Sequence, residues 1–254
     1  MDEKLVLVDV GSMGGPEPEW RALLDSGAAV AIGFEPDERE FEKLPRDGPV
    51  RYHPYALYSE SRPLELYVAR EGGKTSLFEP NSELLSRYPE PERYQTVRRV
   101  SLPAERVRTL DQVLAESGSP APDMIKLDVQ GAEKAILEGA TRALESVVAL
   151  KLEVEFLELY KGQPLFAELD AWLRARGFEL AELRRFYWKR KEGLGAAGRG
   201  QLAFGEALYL RSIEGYRAAW AGRPEAERRV KTLNFATLCR LYGLHDWAAA
   251  LSGQ

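Results

Sequence analysis

The sequence predicts an α/β fold: a mostly parallel sheet covered by helices on both faces and closed at one edge by an antiparallel hairpin. Three features predict it. Short, nearly all-apolar runs rich in β-branched residues alternate with amphipathic segments over residues 1–180, as doubly buried parallel strands alternate with crossover helices. Two further strand-like runs follow with only a glycine-rich loop between them, the pattern of an edge hairpin. No internal repeat is present, and 254 residues at 44% hydrophobic content suffice for one large domain or one domain plus an extension.

In chain order, LVLVDV is the first buried strand, and a glycine-rich turn follows it. PEPEWRALLDSG puts prolines and acids first and Trp20, Leu23 and Leu24 within, so a helix ends near Gly27. AVAIGFEP is the second strand, EREFEKL a short helix and VRYHPYAL the third strand. LELYVAR alternates and is expected to pair at a sheet edge. Residues 71–94, rich in Gly, Pro, Ser and Glu, read as a long loop with a short helix near Leu84; such loops are often lids or binding loops. VRTLDQVLAES is a helix with Thr109 as its N-cap. MIKLDV is the fourth core strand, and the helix after it carries Ala132, Ile136, Ala140 and Ala143 on one side. VVALKLEVEF is the fifth strand. PLFAELDAWLRARGF is a helix with Leu165, Leu169, Trp172 and Leu173 facing inward, stopped by Gly177. FELAELRRFYWKR and QLAFGEALYLR make the hairpin. The tail is helical, with Val230, Leu233, Leu238, Leu241 and Trp247 as apolar anchors, and it either caps the domain or supplies a homo-oligomer contact. The expected division is a main domain, 1–212, and a C-terminal helical extension, 213–254.

The totals narrow the function classes. A formal net charge of -5 gives no global field to attract nucleic acid or an anionic membrane. Arg184, Arg185, Lys189, Arg190 and Lys191 form a local basic run, read first as a solvated loop. A single cysteine, Cys239, excludes an intrachain disulfide and points to a reducing compartment. MDEKLVLVDV lacks the basic and apolar regions of a signal peptide, and no apolar run is long enough to span a bilayer. The expectation is a cytoplasmic protein.

Candidate chemistry gathers at strand ends. In open parallel sheets, ligands bind beyond the carboxyl ends of the strands, near the switch in strand order. Asp9, Glu35 and Asp128 are expected there together. Gly11, Gly14 and Gly15 allow a sharp turn and a close ligand approach. The N–H groups at the next helix start favour a carboxylate or phosphate. An acid at the end of the second strand, Glu35, can accept both hydroxyls of a ribose. The pattern Asp-x-Gly-x-x-Gly lacks both the dinucleotide glycine spacing and a P-loop lysine. Taken alone it fits any tight turn in an α/β protein.

DVGSMGG, FEP, ALYSES…LELYV, TSLFEPN, RTLDQVL, IKLDVQGAE and LEVEF occur in that order. This set resembles the FkbM-type family of S-adenosylmethionine-dependent methyltransferases over roughly residues 5 to 211. IKLDVQGAE is its most telling member. The resemblance implies a Rossmann-like class I methyltransferase fold with a seven-stranded sheet, and methyl transfer, usually to oxygen. The common family form carries Ala-Asn where Ser12 and Met13 stand here. By the same resemblance Asp9, Gly11 and Gly14, with Ser12 in the same turn, would form the methionine end of the S-adenosylmethionine site. Glu35 would bind its ribose, and Tyr55, Ala56 and Leu57 would lie along its adenine edge. Asp128 would stand where the sulfonium meets the acceptor, both as cofactor contact and as catalytic carboxylate. Gly131 would let the backbone pass close to ligand. Ser76, Asn81, Glu133 and Glu153 are the candidate acceptor contacts. Each has a plainer reading: turn chemistry for Ser76 and Asn81, a helix-start acid for Glu133, an N-cap for Asp128. The expected partner is a sugar, glycan or other small-molecule acceptor.

Rival readings are weaker. GLGAAG, residues 193–198, spells the dinucleotide glycine pattern but precedes a strand-like run, not a helix. His53 and His245, the only two histidines, lie in unrelated segments, so a His-rich metal site is excluded. Asp128 with Glu153 or Glu155 offers oxygens for Mg²⁺, but strand-end acids more often bind a ligand or cap a helix. No metal is expected. A nucleic-acid methyltransferase finds support only in the basic loop. A non-catalytic binding module on the same fold, with the tail as partner surface, is the third reading.

Overall fold

The computed structural model describes residues 4–253; residues 1–3 and 254, at the outer bounds of the two expected segments, lie outside the described residues. Seven strands form the main sheet: β1 (Leu5–Val10), β2 (Ala29–Phe34), β3 (Val50–His53), β4 (Met124–Leu127), β5 (Ala149–Glu155), β6 (Phe178–Trp188) and β7 (Gln201–Arg211). Their spatial order is β3-β2-β1-β4-β5-β7-β6. The first five are parallel, and β7 runs antiparallel to both β5 and β6. This is the sheet of the class I methyltransferase fold. Strand order reverses between β1 and β4, where such sheets open a crevice.

The helices are α1 (Arg21–Asp25), α2 (Glu38–Phe41), α3 (Ser82–Leu85), α4 (Leu110–Ser117), α5 (Glu133–Glu138), α6 (Ala143–Ser146), α7 (Phe166–Arg174), α8 (Ile213–Trp220), α9 (Glu225–Leu241) and α10 (His245–Ser252). Thr109 starts α4 with a reciprocal capping box, accepting from the Gln112 N–H while the Gln112 side chain accepts from its own. On one face of the sheet Val8, Ile32, Ile125 and Leu150 pack with Leu110, Val113, Ile136, Leu137, Leu169 and Leu173 from α4, α5 and α7. On the other face Leu5, Leu7, Ala29 and Met124 meet Trp20 and Leu24 near α1 and Tyr216, Phe235, Leu238 and Leu251 from the tail.

Three local readings are corrected. LELYVA, Leu64–Ala69, leaves the main sheet and pairs with Thr96–Leu102 in a separate antiparallel ribbon, because the second segment offers a matching partner close in sequence. The helix after β4 is two short ones, divided where Gly139 closes α5. Leu233, expected as a tail anchor, is 61% exposed. The inward stripe of α9 is instead Lys231, Asn234, Phe235, Leu238 and Cys239 at helical spacing.

Two of those inward residues are polar because they have a buried target. Asp123, just before β4, accepts from the Val6 N–H at 2.9 Å and from Asn234 Nδ2 at 3.1 Å, and Lys231 Nζ pairs with its other oxygen. One carboxylate thus ties β1, β4 and α9 together. At the far end of α9, the Tyr242 hydroxyl accepts from Trp20 Nε1 at 3.1 Å.

Removing one partner of a buried ion pair leaves a desolvated charge. Lys231→Met is expected to lower unfolding stability by about 3–5 kcal/mol. Adding Asp123→Asn to that variant should restore part of the loss. Urea unfolding followed by circular dichroism reads both.

Candidate active site

The switch in strand order sets the tips of β2, β1 and β4 side by side, and a cavity of about 320 Å³ opens over them. The turn after β1 forms one wall. Its Gly11 and Ser12 N–H groups both donate to the Phe34 carbonyl, at 3.0 and 3.1 Å. Ser12 Oγ donates to the Asp9 carbonyl at 2.8 Å and accepts from the Phe34 N–H at 3.1 Å. Ser12 is therefore a buried stitch between β1 and β2 and does not line the cavity, whereas Gly11 and Gly14 do. Gly11 is forced by β4 rather than by a ligand. Its φ is +79°, and a Cβ would lie 2.0 Å from the Asp128 carbonyl oxygen.

The three strand-end acids take two different places. Glu35 and Asp128 line the cavity; Asp9 does not. Asp9 is 1% exposed and sits beneath, 3.0 Å from Lys126 Nζ. That contact is too poorly aligned for a hydrogen bond, so both carboxylate oxygens lack one. Burial pushes Asp9 up to about 6 even though Lys126 pulls the other way. The side chain that reaches the cavity is Lys126, which also donates to the Gly11 carbonyl at 3.0 Å. Sequence reading passed over Lys126 as part of a buried strand. Its signal was a lone cation in an apolar run, opposite Asp9 in register.

Glu35 closes the other end. Its Oε1 accepts from the Asp37 N–H at 2.9 Å. Burial pushes its carboxyl up to about 7, opposed by that hydrogen bond and reinforced by the charges of Asp37 and Glu40. The apolar part of the lining includes Tyr55, Ala56, Leu57, Leu66, Leu77 and Ile136. His53 stacks between Phe34 and Tyr55, with ring centroids 5.4 and 5.9 Å away, and burial lowers its pKa. It is a neutral spacer behind Tyr55.

Asp128 is exposed at the cavity mouth and caps no helix; α5 has no side-chain cap. Gln130 holds it. The Gln130 Nε2 group donates to Asp128 Oδ1 at 3.0 Å and to Glu153 Oε2, while Gln130 Oε1 accepts from the Tyr160 hydroxyl at 2.8 Å. Gln130 itself adopts φ +60°, costly for a residue with a Cβ. Ser76 Oγ secures that conformation by donating to the Gln130 carbonyl at 2.7 Å. Neither Gln130 nor Tyr160 was singled out from sequence.

The remaining candidates divide. Ser76 lines the cavity, but its hydroxyl faces Gln130. Asn81 caps α3 through the Leu84 N–H and lies outside the cavity lining. Glu133 is buried and accepts from the Val129 and Gly131 N–H groups, both at 3.0 Å, so it shapes the turn after β4. Burial pushes it up to about 7. At Gly131 a Cβ would lie 3.1 Å from that of Gln163; protein, not ligand, makes the close approach. Oxygens of Glu133, Glu153 and Glu155 lie within 4.8 Å of one another, a grouping that does not include Asp128. Burial and mutual repulsion raise Glu153 and Glu155 well above the usual carboxylate range. The glycine-rich stretch 193–198 sits in the β6–β7 loop with a strand after it and no helix. Among the described residues, no helix is long and apolar enough to cross a membrane.

Residues 9–180 match the family model described as the methyltransferase FkbM domain. The chain belongs to the FkbM methyltransferase family. It is a methyltransferase with a Rossmann-like α/β fold. Over 170 residues it is 28% identical to the 2-O-methyltransferase NoeI of Sinorhizobium fredii, covering 65% of this chain and 70% of that protein. Among solved structures it is similar to a methyltransferase FkbM from Methylobacillus flagellatus, with a TM-score of 0.40, 15% identity and coverage of 82% of this chain and 44% of that one. It is also similar to the magnesium protoporphyrin IX methyltransferase ChlM of Synechocystis, solved with bound S-adenosylmethionine. There the TM-score is 0.39 and the identity 13%, over 83% of this chain and 72% of that one.

The two turn glycines should respond differently to a methyl group. Gly14→Ala meets only the left-handed backbone penalty, about 1–2 kcal/mol, since nothing lies within 4 Å of a Cβ there. Gly11→Ala also drives a Cβ into the Asp128 carbonyl and is expected to lose clearly more in the same urea titration.

Proposed function

We propose that this methyltransferase uses S-adenosylmethionine to methylate a hydroxyl oxygen of a sugar, glycan or other small metabolite. One observation carries the reading: a single cavity at the switch point is lined by a buried carboxylate, Glu35, just past β2 and by an exposed one, Asp128, just past β4. Family membership supports the reaction class. The 28%-identical 2-O-methyltransferase supports oxygen as the acceptor atom.

The residues fit a nucleoside with a cationic end. Glu35 has one oxygen on the Asp37 N–H and keeps acceptor capacity toward the cavity, which suits a ribose diol. Tyr55, Ala56, Leu57 and Leu77 supply apolar surface for a flat base. Lys126 and residues of the turn 11–15 line the same cavity and suit the carboxylate of a methionine moiety. Asp128 adds negative charge beside a sulfonium and faces an incoming hydroxyl. The bound cofactor supplies an already activated methyl group. The protein's task is then to align an acceptor oxygen and exclude water; orientation of this kind is worth roughly 7–11 kcal/mol.

Calorimetry with S-adenosylhomocysteine tests the donor. Binding is expected, with Glu35→Ala weakening it about tenfold or more, the cost of a charged hydrogen bond of ~1.5–3 kcal/mol. No binding by folded wild-type protein would refute the reading.

A pH dependence follows from Glu35, whose carboxyl rises from the ordinary 4.5 to about 7 in the fold. The folded, ligand-free state holds the proton more tightly, so this group's contribution to stability falls as pH rises through that window. A diol needs the ionised form as acceptor. Affinity for S-adenosylhomocysteine should therefore rise with pH, up to ~tenfold per unit, and level off above about 7. Glu35→Gln should flatten the profile.

A further inference from the structure

A second hollow of about 270 Å³ adjoins the first. The two share Glu17, Pro18, Lys126 and Asp128, so they meet beside the Asp128 carboxylate. The second runs across the upper parts of β4, β5, β7 and β6, between Lys126 and the Arg184–Glu206 pair. We propose that this hollow is the acceptor subsite and that its lining selects an uncharged, polyhydroxylated ring, a neutral carbohydrate. The proposal rests on the first cavity being the donor site.

Three features of the lining argue for that chemistry. First, apolar side chains are nearly absent. Leu127 and Leu152 border the hollow, but both are buried in the core on the opposite face of the sheet. Pro18 is the remaining apolar side chain, so an aromatic or lipid acceptor would find little side-chain surface to cover. Second, each cation of the lining has an acid beside it, and Lys126 is shared with the donor side. Lys151 lies 2.6 Å from Glu17 and 3.5 Å from Glu19, Lys126 lies 3.0 Å from Asp9, and Arg184 lies 3.5 Å from Glu206. Even with Glu153 left out, acids outnumber the cations of the lining, so an anion gains no net attraction. Third, donors and acceptors alternate over a short distance, which suits hydroxyls because each donates one hydrogen bond and accepts others. Glu153, its carboxyl raised well above the usual range by burial and by the charges of Asp128 and Glu155, adds a further polar group.

Arg184 and Glu206 are the residues to change. They line only the second hollow, and their side chains are 68% and 40% exposed, so their removal should leave folding intact. The probes are methyl glycosides of neutral hexoses and deoxyhexoses, with glucuronate, glucose 6-phosphate and spermidine as charged comparators. Saturation-transfer NMR on the full chain with S-adenosylhomocysteine reads binding. Transfer to at least one neutral glycoside is expected, falling fivefold or more in Arg184→Ala and Glu206→Ala, with S-adenosylhomocysteine affinity kept within twofold. Absence of transfer to every neutral glycoside would overturn the proposal. So would transfer only to a charged comparator, or transfer that both variants leave unchanged. Calorimetry separates the two failures: loss of S-adenosylhomocysteine binding in wild type sinks the donor site, whereas retained binding without glycoside contact sinks the subsite alone.

Discussion

Asp9 and Lys126 face each other across adjacent parallel strands, both nearly buried, in a part of the sheet where apolar residues are the rule. Taking two charges out of water costs several kcal/mol per ion, and a pair returns that only when its geometry is good. Here it is not: neither oxygen of Asp9 has a hydrogen bond, and burial outweighs Lys126 in pushing the carboxyl up to about 6. As pH rises from 3.8 toward that value, the fold loses stability through this group. The pair therefore serves geometry rather than stability. It fixes an ammonium that also grips the Gly11 carbonyl at 3.0 Å, locking the turn after β1 against the tip of β4. Both hollows take their shared wall from that lock.

The same face of the sheet changes character along its strands. Toward the amino ends it shows Leu7, Met124 and Ala149; two residues further on, Asp9, Lys126 and Lys151. Period-two alternation keeps each set on one side. The apolar half is covered by α1 and the tail helices, held by the Asp123 carboxylate under α9. The charged half is bordered by the short 3-10 turn Pro18–Trp20 rather than by the tail helices, and becomes the second hollow. One division of labour along three strands thus accounts for the docking of the tail and for the open ground beside Asp128.

Much of this was legible in the sequence. Buried strands advertise themselves by uninterrupted Val, Ile and Leu, and helix α4 by its Thr109 cap. The identity of the turn after β1 was clear from its glycines, but the reason for Gly11 was not, since the obstructing atom belongs to Asp128, far along the chain. The inward stripe of α9 was misread because Lys231 and Asn234 look like surface residues until Asp123 is placed beneath them. Gln130 escaped notice for a similar reason. Of its partners Asp128 lies two residues away, but the others, Glu153, Tyr160 and Ser76, come from distant stretches, and only the fold makes them one network. Local propensity shows elements well; it does not show long-range polar contacts.

That network bears on which carboxylate acts in the proposed reaction. One amide group, Gln130 Nε2, donates to both Asp128 and Glu153 and so fixes their separation. Burial and neighbouring negative charge both raise the Glu153 carboxyl well above the usual range. Asp128 is the member open to the junction of the two hollows. An acceptor hydroxyl seated there would donate to Asp128, pointing a lone pair toward the donor side. Because the methyl group arrives activated, the carboxylate need only orient the oxygen and receive the proton as the new bond forms. The strain stored in the left-handed backbone of Gln130 is then explicable: it is the conformation in which a single side chain can hold both acids while its carbonyl anchors the loop bearing Ser76.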